Sequence, residues 1–420
     1  MKKIELLAPA GDMEKLKMAL LYGADAVYIG GEAYGLRAAA GNFTLEDMKE
    51  AVNIAHDMGK KIYLTMNIIP HNEDLLGMSD YIRSAIETGI DALIISDPGV
   101  LTIVKEVAPN IEVHLSTQAN STNWRSCVFW HKQGIQRIVL ARELSLDEIL
   151  EIKDKTEKSL ELEMFVHGAM CISYSGRCLL SSYMTGRSSN KGECAHPCRW
   201  KYHLVEDKRP GEYMPVYENE RGTFIFNSKD LCLIESIPEL IQAGVRSLKI
   251  EGRMKSTYYV ATIVSAYRKA IDSYYKNPKG YEFDKDLLSE VQKVSHREYT
   301  KGFLNNKTDE NDQVYKTSSY VRGYDFVGIV KSYDKNTKVA LVEQRNRIFL
   351  DEEIEVLRPD GRIFTHKVNE MRNSNNEIVE VANHPQMTIY MPFNSDVSEY
   401  SILRRKTCHG AGSFDIKSYK

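Results

Sequence analysis

No part of this 420-residue chain approaches the roughly 20 consecutive apolar residues that a membrane-spanning helix requires. The longest uncharged stretch near its middle, Met164 to Gly176, is interrupted by His, Ser and Tyr. At the N-terminus the apolar run is short for a secretory leader and is broken by Glu5, so a first strand is expected there. A cytoplasmic protein with no membrane contact is therefore expected. The chain also lacks an excess of cations: 55 Lys and Arg stand against 58 Asp and Glu, a net charge of −3. No global positive field draws in nucleic acid, so any RNA contact must rest on local patches. With only 12 prolines and 26 glycines, collagen-like and low-complexity classes are excluded. A His-Glu-x-x-His zinc helix and a Gly-x-Ser-x-Gly nucleophile elbow are both missing. Seven cysteines is an odd number for a disulfide framework.

What is present is alternation. Strand patterns at Glu5–Ala8, Ala26–Gly30, Ile62–Asn67, Ala92–Ser96, Glu112–Ser116, Arg137–Ala141, Leu162–His167 and Ser247–Glu251 are interleaved with amphipathic helical segments. These helices include Met13–Tyr22, Leu45–Met58, Leu75–Thr88, Asn123–Gln133 and Leu146–Lys155. Eight strand–helix repeats predict an α/β fold of the closed (β/α)8, TIM-type barrel class. The competing open, doubly wound sheet would place a glycine-rich loop after the first strand. Ala8-Pro9-Ala10-Gly11-Asp12 does not supply it.

Between the seventh and eighth strands lies an insertion, residues 168–246, where a short loop and helix would suffice. Long insertions in compact domains are usually lids or sites. Within it, a hairpin of Lys201–Val205 with Thr223–Asn227 is expected. Ser228-Lys229-Asp230 is then expected to cap a helix over Leu231–Gln242. The division expected is a barrel over 1–304, a linker over 305–321, a small antiparallel β-barrel over 322–406 and a tail over 407–420. The strands of the small domain are placed at Val327–Lys331, Val339–Val342, Glu353–Leu357, Ile378–Val381 and Thr388–Met391. Its charges balance at 13 to 13 over residues 322–406, which suits a docking module better than an RNA clamp.

Strand alternation indicates which side chains line the barrel. In Ser247–Arg253, Leu248 and Ile250 share one face while Lys249, Glu251 and Arg253 share the other. Three ionisable groups inside a barrel are costly unless they pair or bind a polar ligand. Asn67, Gln118 and His167 fall on inner faces near other strand ends, where barrel enzymes place their sites. Arg142 after the sixth strand and Arg37 after the second offer further cations for an anionic substrate. Just past the seventh strand, Cys171 and Cys178 are separated by six residues, Cys178 and Cys194 by fifteen, Cys194 and Cys198 by three. Four such thiols suit either zinc or an iron–sulfur cluster, with Cys232 an alternative to Cys198.

The segment from Glu163 through His167-Gly168-Ala169-Met170-Cys171 and Gly176-Arg177-Cys178 to Ser181 resembles the signature of the collagenase-like peptidase family of unassigned catalytic type. Leu7–Gly11, Asn227–Leu231 and Lys249–Ser256 extend the resemblance over about residues 4–304. With the small β domain behind it, the chain is most similar to the longer bacterial members that act as prephenate-dependent tRNA uridine 5-hydroxylases. The resemblance implies oxygen-independent hydroxylation of the wobble uridine, with prephenate as hydroxyl source. It also implies an iron–sulfur cluster, of the four-iron kind, on Cys171, Cys178, Cys194 and Cys198. His167, Glu251 and Lys249 become the candidate catalytic groups. Arg253, Arg142, Arg177, Asn67 and Gln118 become the candidate substrate-binding groups, the arginines matching the two carboxylates of prephenate. RNA is expected across the insertion, on Arg187, Lys191, Arg199 and Lys201 and the rings of Trp200, Tyr202 and His203. The alternatives are a collagenase-like peptidase and a noncatalytic partner of a paralogous hydroxylase subunit.

Overall fold

The computed structural model describes residues 3–36, 41–171, 176, 178–200, 204–205, 213–214, 229–305 and 322–407. Seven parallel strands follow one another: β1 (Glu5–Pro9), β2 (Ala26–Gly30), β3 (Lys61–Met66), β4 (Ala92–Ile95), β5 (Glu112–Leu115), β6 (Arg137–Val139) and β7 (Glu161–Ala169). Between them lie α1 (Met13–Leu21), α2 (Leu45–Asp57), α3 (Met78–Glu87), α4 (Pro98–Val107), α5 (Trp124–Lys132) and α6 (Leu146–Lys155). Helix starts follow local chemistry. Thr44 and Asp47, and Ser145 and Glu148, form reciprocal capping boxes, while Asp97 caps a helix whose first residue is Pro98.

The chain then runs through α7 (Leu180–Thr185), a short ladder of β8 (Leu204–Val205) with β9 (Tyr213–Met214), β10 (Asp230–Cys232) and α8 (Ile237–Gln242). It returns to the barrel as β11 (Ser247–Ile250), which pairs in parallel with both β7 and β1 and so closes the eight-strand ring. The expected hairpin differs from the observed one, since Val205 pairs with Tyr213. Thr223–Asn227 lie outside the described residues.

Asp230 does not cap a helix. Its carboxylate is gripped by buried Arg297, with Nη2 at 2.6 Å and Nε at 3.0 Å, and β10 pairs antiparallel with the end of β7. Helix α8 starts only at Ile237.

Helix α9 (Thr257–Lys276) packs against α1 and the barrel, followed by α10 (Lys285–Val291) and the short β12 (Tyr299–Thr300) beside β10. The second domain comprises β13 (Tyr324–Asp334), β14 (Val339–Gln344), β15 (Ile348–Phe349), β16 (Glu353–Leu357), β17 (Ile363–Lys367), β18 (Val381–Ala382), β19 (Thr388–Pro392) and β20 (Ile402–Lys406). Six of these form an antiparallel sheet in the order β17-β16-β20-β13-β14-β19. No helix among the described residues is long and apolar enough to cross a membrane.

The β domain is docked on the barrel through apolar and ionic contacts together. Ile329, Leu357 and Ile402 join the barrel's core cluster, and Tyr258 of α9 stacks on Phe326. Tyr22, the residue that ends α1, donates to the carbonyls of Leu357 or Tyr400, each at 2.9 Å. Arg404 of β20 is fully buried and pairs with Glu290 of α10 and with Glu355. Removing one member of such a buried set strands the remaining charges. Arg404→Ala is therefore expected to lower stability by about 3 kcal/mol, read from the urea midpoint. An unchanged midpoint would show that the apolar contacts alone hold the two domains.

Candidate active site

The floor of the barrel is charged and paired. Glu163 on β7, wholly buried, accepts from Lys249 of β11 at 2.8 Å and from Arg137 of β6 at 3.3 Å. Arg137 also reaches Glu5 of β1 at 2.5 Å and Glu161 at 2.7 Å. Burial alone would raise the Glu163 carboxyl, but Lys249 and Arg137 outweigh it and hold the group below the ordinary carboxylate range. Burial pushes the Lys249 ammonium the other way, below its usual range, with Glu163 opposing. The ammonium lies 4.6 Å from the centre of the Tyr28 ring, a cation–π contact that adds to its hold.

Above this floor is a cavity of about 70 Å³ lined by Lys249, Glu251 and Arg253 from the β11 end, Asn67, Ser116 and Gln118 from the β3 and β5 ends, and Arg142 and Phe165. Its polar groups are oriented by one another. Asn67 Nδ2 is 3.1 Å from both Ser116 Oγ and Gln118 Oε1, and the Ser116 hydroxyl donates to Gln118. Arg253 spans the mouth, donating at 2.8 Å to the Leu36 carbonyl and at 2.8 Å to Asn42. Arg142 Nη1 donates to the carbonyl of Ala169 at 2.5 Å, and its guanidinium carbon sits 4.1 Å from the centre of the Phe165 ring. Its Nε is buried with no hydrogen-bond partner among the described residues. The cavity thus offers three cations and one lining carboxylate.

A second cavity, about 140 Å³, adjoins the first across Leu36, Thr117, Gln118 and Arg142. Cys171, Cys178, Cys194 and Cys198 all line it. Three contacts order this segment, two of them to the barrel mouth. Gly176 has φ +73° and lies so close to the Gln118 carbonyl that a Cβ would overlap it. Ser189 Oγ donates to the Cys178 carbonyl at 2.8 Å, and Ile69 N donates to the Asn190 carbonyl at 3.1 Å. The backbone N–H of His196 donates to Cys194 Sγ at 3.4 Å, which orients that sulfur.

All four thiols line one cavity, so the donor set suits a group held by four thiolates, whether a zinc ion or an iron–sulfur cluster. Cys232 does not line it. That thiol is buried on β10, where burial raises it to about 11.

The expected ring of polar groups needs one correction. Asn67, Gln118, Lys249, Glu251, Arg253 and Arg142 gather at the mouth, but His167 does not. Along β7 and β11 the register runs Glu163 with Ser247, Met164 with Leu248 and Phe165 with Lys249, then skips to His167 with Ile250. That bulge inserts Val166 as an extra residue and reverses the face on which His167 emerges. The imidazole is buried among Tyr259, Tyr267 and Tyr299, with Nδ1 3.3 Å from the Tyr267 hydroxyl. Burial pushes its pKa down to about 3, only partly offset by Asp230. Arg177, Arg37, Lys201, Tyr202 and His203 lie outside the described residues. Thr65, on the inner face of the third strand by the same alternation, also lines the cavity, whereas sequence reasoning passed over Tyr28. Tyr28 occupies an inward position, but as a common strand residue it carries no signal of chemistry.

Residues 11–314 match the family model "Peptidase family U32", and residues 322–404 match "Peptidase family U32 C-terminal domain". The chain is 43% identical over 404 residues to "tRNA hydroxylation protein P1" of Bacillus subtilis, covering 96% of this chain and 95% of that one. It is 39% identical over 447 residues to "tRNA hydroxylation protein P" of Escherichia coli, covering 96% and 97%. It is also 42% identical over 271 residues to the "23S rRNA 5-hydroxycytidine C2501 synthase" of Escherichia coli, covering 64% of this chain and 40% of that one.

The burial of His167 has a consequence in solution. An unfolded chain takes up a proton on this side chain near pH 6.5, whereas the folded chain resists until about pH 3. Stability therefore falls as pH drops through that window, by up to about 1.4 kcal/mol per pH unit for one proton. His167→Gln is expected to flatten the dependence of unfolding free energy on pH between 6.5 and 4 by about one proton. An unaltered slope would mean that His167 is protonated in the folded protein.

Proposed function

This chain belongs to peptidase family U32, and on that premise we propose that it is an RNA-modifying enzyme that hydroxylates carbon 5 of the wobble uridine in tRNA. The hydroxyl donor proposed is prephenate, and the cofactor proposed is a four-iron–four-sulfur cluster. The observation that carries this reading is the pair of adjoining cavities, one lined by four thiols and the other by Arg142, Lys249, Arg253 and Glu251. Two of its relatives are named for tRNA hydroxylation and a third for forming a 5-hydroxypyrimidine in rRNA. Those names support hydroxylation at carbon 5 of a pyrimidine as the reaction class.

Each group receives a role that its surroundings allow. Cys171, Cys178, Cys194 and Cys198 hold the cluster, which supplies redox or Lewis-acid chemistry beside the barrel mouth. Prephenate carries two carboxylates. Arg142 is held by Ala169 and Phe165 with its Nε unpartnered, so it is preorganised to receive one of them. Lys249 supplies a second positive charge from the floor, and its partner Glu163 keeps it from repelling Arg137. Glu251 is the lone acid lining the charged cavity, so it is the group placed to hold or move a proton there. Asn67 and Gln118 share hydrogen bonds that fix their amides, a rigid donor and acceptor pair for orienting a polar substrate.

Two measurements test the reading. Protein purified without oxygen is expected to contain about four irons and four sulfides per chain. Both should be lost in Cys171→Ala and Cys194→Ala and retained in Cys232→Ser. Stoichiometric zinc, or iron that depends on Cys232, would remove the proposed centre. With iron retained, Arg142→Lys is expected to lower prephenate-dependent tRNA hydroxylation tenfold to a hundredfold, on the order of 1.5–3 kcal/mol for a charge-assisted contact. Full activity in that variant would place the donor's carboxylate elsewhere.

A further inference from the structure

The rim of the thiol-lined cavity carries an exposed apolar surface that the chemistry above leaves without a role. Tyr183 is 87% exposed and Leu179 70%, with Met184 and Trp200 also in solvent. These side chains do not belong to a loose loop. Ser181 of α7 is fully buried, and its hydroxyl accepts from the Ala195 N–H at 3.0 Å. Thr185 Oγ1 donates to the Ser181 carbonyl, and Gly186 ends the helix in the left-handed region at φ +70°. Leu180 lines the cavity, and its neighbours at i+3 and i+4 on the same face are Tyr183 and Met184. One helical face thus runs from the cavity wall to an aromatic ring that stands in water.

The local charge favours an anionic partner. Over residues 178–200 the sequence has Arg187, Lys191 and Arg199 against Glu193 alone, within a chain of net charge −3, and of these Lys191 is paired with Asp74 and Glu73. An exposed ring on a rigid support inside a cationic segment matches the way single-stranded RNA is held, with bases stacked on aromatics and phosphates met by cations. We propose that the Tyr183 ring is a stacking platform for a nucleobase of a single-stranded RNA loop, which it holds at the rim of the thiol-lined cavity. This rests on the RNA-modifying reading and adds to it the surface the RNA meets. Tyr183 is then a positioning residue, acting on the placement of the strand.

The test is anaerobic binding of an unmodified tRNA transcript with uridine at the wobble position, followed by anisotropy at several salt concentrations. Wild type, Tyr183→Ala and Tyr183→Phe are compared at equal iron content. Tyr183→Ala is expected to weaken binding about tenfold or more, and Tyr183→Phe to stay within about twofold of wild type. The slope of log Kd against log salt should be the same in all three, because stacking releases no counterions. Equal affinity of Tyr183→Ala and wild type overturns the proposal, as does a loss that Tyr183→Phe fails to restore. Loss of iron together with RNA in Tyr183→Ala overturns it in favour of a structural role. A changed oligomeric mass with unchanged RNA affinity overturns it in favour of a protein partner. Failure of the functional reading has its own signature, a wild-type protein that binds no tRNA.

Discussion

Glu163 is the point on which the barrel closes. Its carboxylate is fully buried and receives Arg137 from the strand before it and Lys249 from the strand after it. Arg137 carries the network on to Glu5 of β1, which in turn accepts from Ser247 of β11 and from Tyr63 of β3. Five of the eight ring strands are therefore tied through one set of shared charges. Each ion has lost water and recovers it only through these partners, so the set is stable as a whole and costly in any part. This constraint explains why a lysine can stand at the base of a catalytic-looking cavity: Glu163 holds it there.

The same seam governs what lies above. Beyond Lys249 the pairing of β11 with β7 slips by one residue, which turns His167 outward into its cage of tyrosines and leaves Gly168 at φ +112° against Glu251. A side chain at Gly168 would collide with that carboxylate's own Cβ and backbone. The chain emerges from this turn at Ala169, whose carbonyl is held by Arg142, two residues before Cys171. The bulge thus both removes His167 from the lumen and aims the thiol loop over the mouth, where Gly176 seats on Gln118.

The eight strands and most of their helices were legible because β-branched runs alternate with a helical period and each helix carries its own start signal, as at Thr44 and Ser145. The inner faces of β3, β5 and β11 could be read from simple alternation, so Asn67, Gln118, Lys249, Glu251 and Arg253 were found by period alone. His167 was misplaced because a one-residue bulge is a tertiary event, set by pairing between strands 80 residues apart. Asp230 reads locally as a cap, and only the distant Arg297 makes it a strand residue. Ile402–Lys406 was passed over since three consecutive cations look like a solvated tail. In the fold, Arg404 is buried against Glu290 and Glu355, and the strand lies at the centre of its sheet.

Arg142 lies in the wall that the two cavities share, and this position sets the logic of the site. Its donor to Ala169 and its stacking on Phe165 hold it rigid, so a negative group entering the charged cavity meets a cation that needs no reorganisation. The same side chain faces the thiol-lined cavity, where four ligating thiolates would concentrate negative charge. A cation in the shared wall lowers the electrostatic cost of placing an anionic substrate beside that charge, and it does so over a few Å of protein with little screening water. Lys249 complements it from the floor, where Glu163 holds the ammonium in place, but it does not face the thiol-lined cavity. The two compartments are thus coupled through one guanidinium, and it is the bulge in β7 that brings the Ala169 carbonyl to where the guanidinium is held.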